Sequence, residues 1–145
     1  MTRIERLRDF IAISGLLTEF VDIKGDTQDA PTQMLDFVDG EKLAGNQSTR
    51  YIAIVDPSTN GAAIPLYSDE REMTVAFFGK GGTNAKLDRR TIADYAEQVS
   101  EYLRLNAPDS DSCLYKATPR GVNGPYTNDD GRFVYDLRVS CWFRG

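Results

Sequence analysis

The sequence predicts an α+β domain, a mostly antiparallel sheet with two helices packed on one face. Three observations predict it. Apolar residues recur at helical spacing near the N-terminus, they do so again before Leu105, and they alternate strictly between Phe133 and Phe143. The order helix, strands, helix, strands places both helices against one sheet. At 145 residues and 41% hydrophobic composition, one domain with a single modest core is expected over residues 1–145.

Thr2 followed by Glu5 has the spacing of a capping box. Ile4, Leu7, Phe10 and Ile11 then form an apolar stripe, and Ser14-Gly15 offers a stop, so a helix is expected over about Arg3 to Ser14. Phe20 to Lys24 reads as a short strand. The stretch after it, about residues 25–48, reads as a variable acidic loop region.

Tyr51 to Val55 is a β-rich run closed by Asp56-Pro57, with turn chemistry from Ser58 to Gly61. Arg71 to Phe78 follows as a strand with Met73, Val75 and Phe77 on one face. Gly79 to Asn84 reads as a loop. Thr91 is the expected cap of the second helix, with Asp94 three residues on and a stripe of Ile92, Tyr95, Ala96, Val99, Tyr102 and Leu103 ending at Asn106 to Pro108. The chain closes with two strands, Cys113 to Thr118 and Phe133 to Phe143, joined by a loop over Pro119 to Gly131.

The formal net charge is -5, which excludes a sequence-independent grip on phosphates over most of the surface. From Thr18 to Gly45 there are seven acids against Lys24 and Lys42, so this stretch carries 2 - 7 = -5 and the remainder balances. No window reaches the length of an apolar membrane span, and the N-terminus lacks the uninterrupted apolar run of a secretory signal. A chain made and kept in a cytoplasm is the expectation, with Cys113 and Cys141 as free, partly buried thiols.

There is no histidine, which removes the commonest general base, the commonest transition-metal ligand and the partner of serine and cysteine triads. No cofactor, metal or catalytic residue is expected. Gly79-Lys80-Gly81-Gly82-Thr83 has glycines and a lysine but not the order of a P-loop, because Lys80 precedes the glycine pair. An inter-element loop is the simpler reading, and a small enzyme using residues 79–83 on a phosphorylated ligand is the alternative. The pairs Asp109 and Asp111, and Asp129 and Asp130, lack the glycine and distal glutamate of a calcium loop and read as turn residues.

Two surface segments invite a functional reading. Gly121 to Gly131 is long for a hairpin connection, and Pro125, Tyr126, Asn128 and Asp129 near its middle are candidate interface residues. The acids Asp26, Asp29, Asp36 and Asp39 are either a solvated surface or, repeated around a ring, the negative lining of a channel that keeps DNA moving.

The order of elements is similar to that of small phage tail terminator and minor tail proteins. A short N-terminal helix, a variable polar stretch, a strand such as Arg50 to Val55, a helix such as Ile92 to Leu103, and a final strand reached through Gly-Pro-Tyr-Thr-Asn-Asp-Asp-Gly-Arg-Phe carry the resemblance. The likeness covers the whole chain, and its motifs have low specificity. The acidic region after the first helix departs from the shortest members. Terminators of lambda-like siphophages are α+β domains forming a six-membered ring on the finished tail tube, with a docking face for the head. The resemblance therefore implies a non-enzymatic virion protein that stops tube polymerisation and joins tail to head. It would be a homohexamer contacting the tail tube protein and a head-completion or connector protein, with DNA passing through unbound and no membrane involved. Another connector or tube subunit is the nearby alternative.

Overall fold

The computed structural model describes residues 2–57, 69–109 and 111–144, with residue 69 as backbone only. The turn expected at Ser58 to Gly61 lies outside the described residues.

Helix α1 spans Arg3–Ala12, and its N-terminus is the capping box expected: Thr2 Oγ1 accepts the Glu5 N–H and Glu5 Oε1 accepts the Thr2 N–H, each at 3.2 Å. Ten residues are too few for an isolated helix to persist in water. Docking holds it, through Ile4, Leu7, Phe10 and Ile11, all buried. At about 1.5–3 kcal/mol for each large side chain removed from water, that stripe outweighs the poor intrinsic stability of three turns. Gly15, at φ +84°, then turns the chain.

Residues 25–48 are not one loop. Strands β1 (Glu19–Val21) and β2 (Thr27–Asp29) form a small antiparallel hairpin. Its turn is organised by Asp22, whose carboxylate accepts the Lys24 and Asp26 N–H groups and the Gln28 side-chain amide at 2.9–3.0 Å. Strand β3 (Thr32–Leu35) pairs in parallel with β4 (Tyr51–Val55), and the crossover between them carries a short helix, α2 (Gly40–Gly45). Hydrophobic pattern alone could not reveal these elements, because β2 buries nothing fully and α2 buries only Leu43.

Strand β5 (Asp69–Phe78) pairs antiparallel with β4 and with β7 (Phe133–Phe143), which in turn pairs antiparallel with β6 (Leu114–Thr127). Among the described residues the five-stranded order is β3-β4-β5-β7-β6, so β3 and β6 are its two edges. This is the expected α+β class, with a mostly antiparallel sheet.

Helix α3 spans Ala85–Leu105 and follows a 3-10 turn at Gly82–Asn84. It therefore begins six residues before the expected cap, and Thr91 is interior. The cause is Asp88. On the core-facing stripe Ala85, Asp88, Ile92, Tyr95, Ala96, Val99 and Leu103, an acid occupies a position where periodicity looks for an apolar residue.

The loop expected over Pro119 to Gly131 is mostly strand. β6 continues to Thr127, with register irregularities after Leu114, Pro119 and Asn123, and only the turn around Asn128 to Gly131 connects it to β7. Two prolines and two glycines read as loop chemistry, yet on an edge strand each is tolerated at a bulge. Gly124 has φ +127°, and a Cβ there would come within 2.8 Å of the Val134 carbonyl oxygen.

The main core lies between α1, α3 and one sheet face. It contains Ile52 and Ile54 of β4, Met73, Val75 and Phe77 of β5, and Tyr135, Leu137, Val139, Cys141 and Phe143 of β7. Tyr95 of α3 stacks at its centre against Phe20 and Phe77, with ring centroids 4.8 and 5.8 Å away, and donates its hydroxyl to the Leu16 carbonyl. A smaller cluster on the other face joins Met34, Leu43, Tyr51, Ala53, Ala76, Phe78 and Val134 beneath α2.

Candidate functional site

The Gly79 to Thr83 loop does open onto a long helix, whereas a helix capped at Thr91 would have left a polar run between them. Three of its amides are nevertheless spent within the protein. Gly79 N–H donates to the Phe133 carbonyl, Lys80 N–H to Asp88 Oδ2 at 2.8 Å, and Gly81 N–H to the Gln47 carbonyl at 2.8 Å. A phosphate cradle needs such groups free and convergent. Here the one anion, met by the Lys80 N–H, is the protein's own carboxylate.

That carboxylate belongs to a buried pair. Arg50, at the start of β4, donates to both oxygens of Asp88 at 2.6–3.0 Å, and both side chains are nearly inaccessible. The pair ties α3 to the sheet and, through the contact between Arg50 and the Gln28 amide oxygen at 3.4 Å, to the β1–β2 hairpin. A polar cleft of about 280 Å³ opens beside it, lined by Asp29, Ser48, Arg50 and Lys80 among others.

Next to this pair lies Arg132, fully buried in the turn before β7. Its Nη1 donates to the carbonyls of Thr49 and Gly79 at 2.6 and 2.9 Å, and its Nη2 to those of Leu43 and Asn46 at 2.7 and 2.5 Å. One guanidinium thus ties together the C-terminal end of α2, the approach to β4 and the exit from β5. The face of Tyr51 covers it, with the ring centroid 5.4 Å away. Burial lowers its pKa, opposed by the nearby Tyr51, Asp130 and Asp88. Arg132 Nε and Gln47 Oε1 are buried without a hydrogen bond. Gly81 passes so close that a Cβ would lie 1.9 Å from Gln47 Oε1. This centre holds loops together. In the sequence the Gly131-Arg132 pair stands out only as part of a closing motif; a lone arginine between a turn and a strong strand gives no sign of which carbonyls it will meet.

The candidate interface residues sit on the β6–β7 hairpin. Tyr126 is 47% exposed, and its hydroxyl donates to both oxygens of Asp136 at 2.8 Å. Burial of the ring and the adjacent Asp136 carboxylate raise the Tyr126 pKa. Pro125 follows a cis peptide bond and is exposed, as is Asp129. Asn128 is half-buried and builds the turn: its Oδ1 accepts the N–H groups of Asp130 and Arg132.

The four candidate channel acids are divided between two places. Asp26 and Asp29 lie exposed on the β1–β2 hairpin. Asp36, at φ +77°, and Asp39 lie past the far end of β3, and Asp39 caps α2 by accepting the Glu41 and Lys42 N–H groups. With about 3.3 Å per residue along a strand, β3 separates the two groups by roughly 13 Å.

Among the described residues, no cluster of three His, Cys, Asp or Glu side chains is placed to hold a metal, and no helix is long and apolar enough to cross a membrane. Both cysteines are free thiols; burial pushes Cys141 up to about 12. Asp109 accepts the Ser112 N–H through its carbonyl, as a turn residue does. No protein-family model matches the chain, and no curated protein matches it.

Proposed function

We propose that this chain is a structural subunit that works by self-assembly, capping a phage tail tube as a ring, ending tube polymerisation and presenting the surface that joins tail to head. The observation that supports assembly is the distribution of large apolar side chains left in water: Leu87 at 82% exposure, Ile13 at 76% and Phe37 at 65%, with Ile23, Leu105 and Val21 also exposed. Scattered single residues would need no explanation, but Phe37-Val38 and Val21 with Ile23 are grouped at corners of the fold, and such groups mark contact surfaces. The tail setting comes from the element order and from the closing Gly-Pro-Tyr-Thr-Asn-Asp-Asp-Gly-Arg-Phe segment. In that setting the partners are copies of itself, the tail tube protein and a head-completion protein, with DNA passing through the ring in the virion.

Electron microscopy of the purified chain, alone and with tail tubes, tests the reading. Rings of uniform size bound at one end of the tubes are expected. Tubes that lengthen unchecked in a molar excess of the chain would remove the tail assignment.

A further inference from the structure

Among the described residues the sheet leaves two edges without a partner, and they differ in character. β3 is short and regular, paired with β4 on one side only. The chain before and after it, the β1–β2 hairpin and α2, belongs with it to the Thr18 to Gly45 stretch of net charge -5, and Asp29 and Asp36 lie within three residues of its two ends. On the hairpin Glu19 and Asp29 face one another directly across the strands, both exposed, an arrangement of like charges that costs stability unless a cation joins it. Among the described residues, Glu19, Asp26, Asp29 and Asp36 are in no ion pair within the chain.

The opposite edge is basic. Between Leu114 and Thr127, β6 carries Lys116 and Arg120 and no acid, a balance of 2 - 0 = +2. Lys116 lies over the Trp142 ring at 4.9 Å and Arg120 donates to Ser140 Oγ at 2.9 Å, so both are held on the face opposite α1 and α3, where Arg138 of β7 joins them. Of the acids on that face, Asp136 of β7 lies one strand in, where it accepts the Tyr126 hydroxyl, and Glu70 and Glu72 sit two strands in, about 10 Å from β6 at ordinary strand spacing. Pro119, Pro125 and the bulges of β6 prevent it from extending the sheet by a continuous ladder, so a partner meets this edge through side chains.

We propose that these edges are the two halves of one seam: the basic β6 edge of one copy packs against the acidic β3 edge of the next, head to tail. Such a contact joins different surfaces of identical chains, and it closes into a ring when the rotation per copy divides a full turn. The acids at that edge then face a neighbouring subunit. The inference deepens the self-assembly part of the proposed function and is independent of the tail as its setting.

The test is sedimentation velocity of the full chain without tubes. Wild-type association is expected to weaken by roughly tenfold or more as salt rises from low to high ionic strength, since screening acts on charge pairs at a rim. Lys116→Glu with Arg120→Glu makes both edges acidic, and Glu19→Lys with Asp29→Lys puts two cations on the hairpin and brings the acidic stretch from -5 to -1. Each double variant alone should associate at least about tenfold more weakly, and an equimolar mixture of the two should regain assembly as an alternating species. Circular dichroism checks the fold of each. Lys116→Gln with Arg120→Gln keeps a donor for Ser140 and gives a milder loss if reversal unfolds β6. A wild-type chain that stays monomeric, variants that assemble as the wild type does, or a mixture that remains monomeric would overturn the proposal. Rings that form by this seam yet leave tubes uncapped would remove the tail reading and leave the seam standing.

Discussion

Arg132 shows how much one side chain can organise. Its four carbonyl partners lie 53 to 89 residues away along the chain, and without it the buried Gly79 and Leu43 oxygens would lose their charged donor. Arg132→Ala should therefore cost on the order of 3 kcal/mol or more in urea unfolding. Arg132→Lys should recover less than half of that, because an ammonium has three donors and no planar fork. Asp22 gives a pH-dependent counterpart. The Gln28 amide, then the Asp26 and Lys24 N–H groups, hold its carboxyl below the usual 3.8. A depressed carboxyl contributes stability above its unfolded pKa and loses it as pH falls through the folded value. Urea titrations between pH 6 and pH 2 should therefore show the wild type losing more stability below about pH 4 than Asp22→Asn, which starts from a lower value at neutral pH.

Helix α3 and strand β6 depart from sequence expectation for opposite reasons. In α3 the first two turns were obscured by a buried acid. The Asp88 to Arg50 pair is what makes that position tenable, since an isolated buried carboxylate would be far too costly. Asp88→Ala should destabilise the protein by about 3–5 kcal/mol, by stranding the Arg50 charge, and should expose the amides of residues 85–91 to hydrogen exchange before the rest of the helix. Arg50→Met with Asp88→Leu should restore most of the loss, since burial of apolar groups replaces the pair; the unfolding free energies of the single and double variants give the comparison. In β6 the element was hidden by residues that break regular strands. Pro119, Gly121, Gly124 and Pro125 read locally as a loop, and the alternating strand β7 beside them recruits the segment into a bulged edge. Local chemistry described the bulges correctly and the element wrongly.

At the scale of the whole molecule, the acidic stretch has two functional readings that differ in what neutralisation does. Changing Asp26, Asp29, Asp36 and Asp39 to Asn leaves a capping side chain for α2 at residue 39 and tolerates the positive φ at residue 36. If the acids lie in the seam between copies, the quadruple variant should assemble more weakly in light scattering and cap fewer tubes. Normal assembly with slowed DNA ejection would instead assign them to the channel wall.

The sequence by itself determined the fold class, helix α1 with its cap, strands β4, β5 and β7, and the body of α3, because each carries its own apolar period and answers to nearest neighbours along the chain. It also revealed the -5 balance of residues 18–45 and the absence of histidine. What only the tertiary structure decided was which polar groups are buried and which strands are edges. The burial of Asp88, Arg50 and Arg132 depends on partners 38 to 89 residues away, and the neighbours of β3 and β6 depend on a strand order that no local pattern encodes. Hydrophobic period is a property of a segment, whereas pairing a buried charge or opposing two sheet edges is a property of the assembled chain.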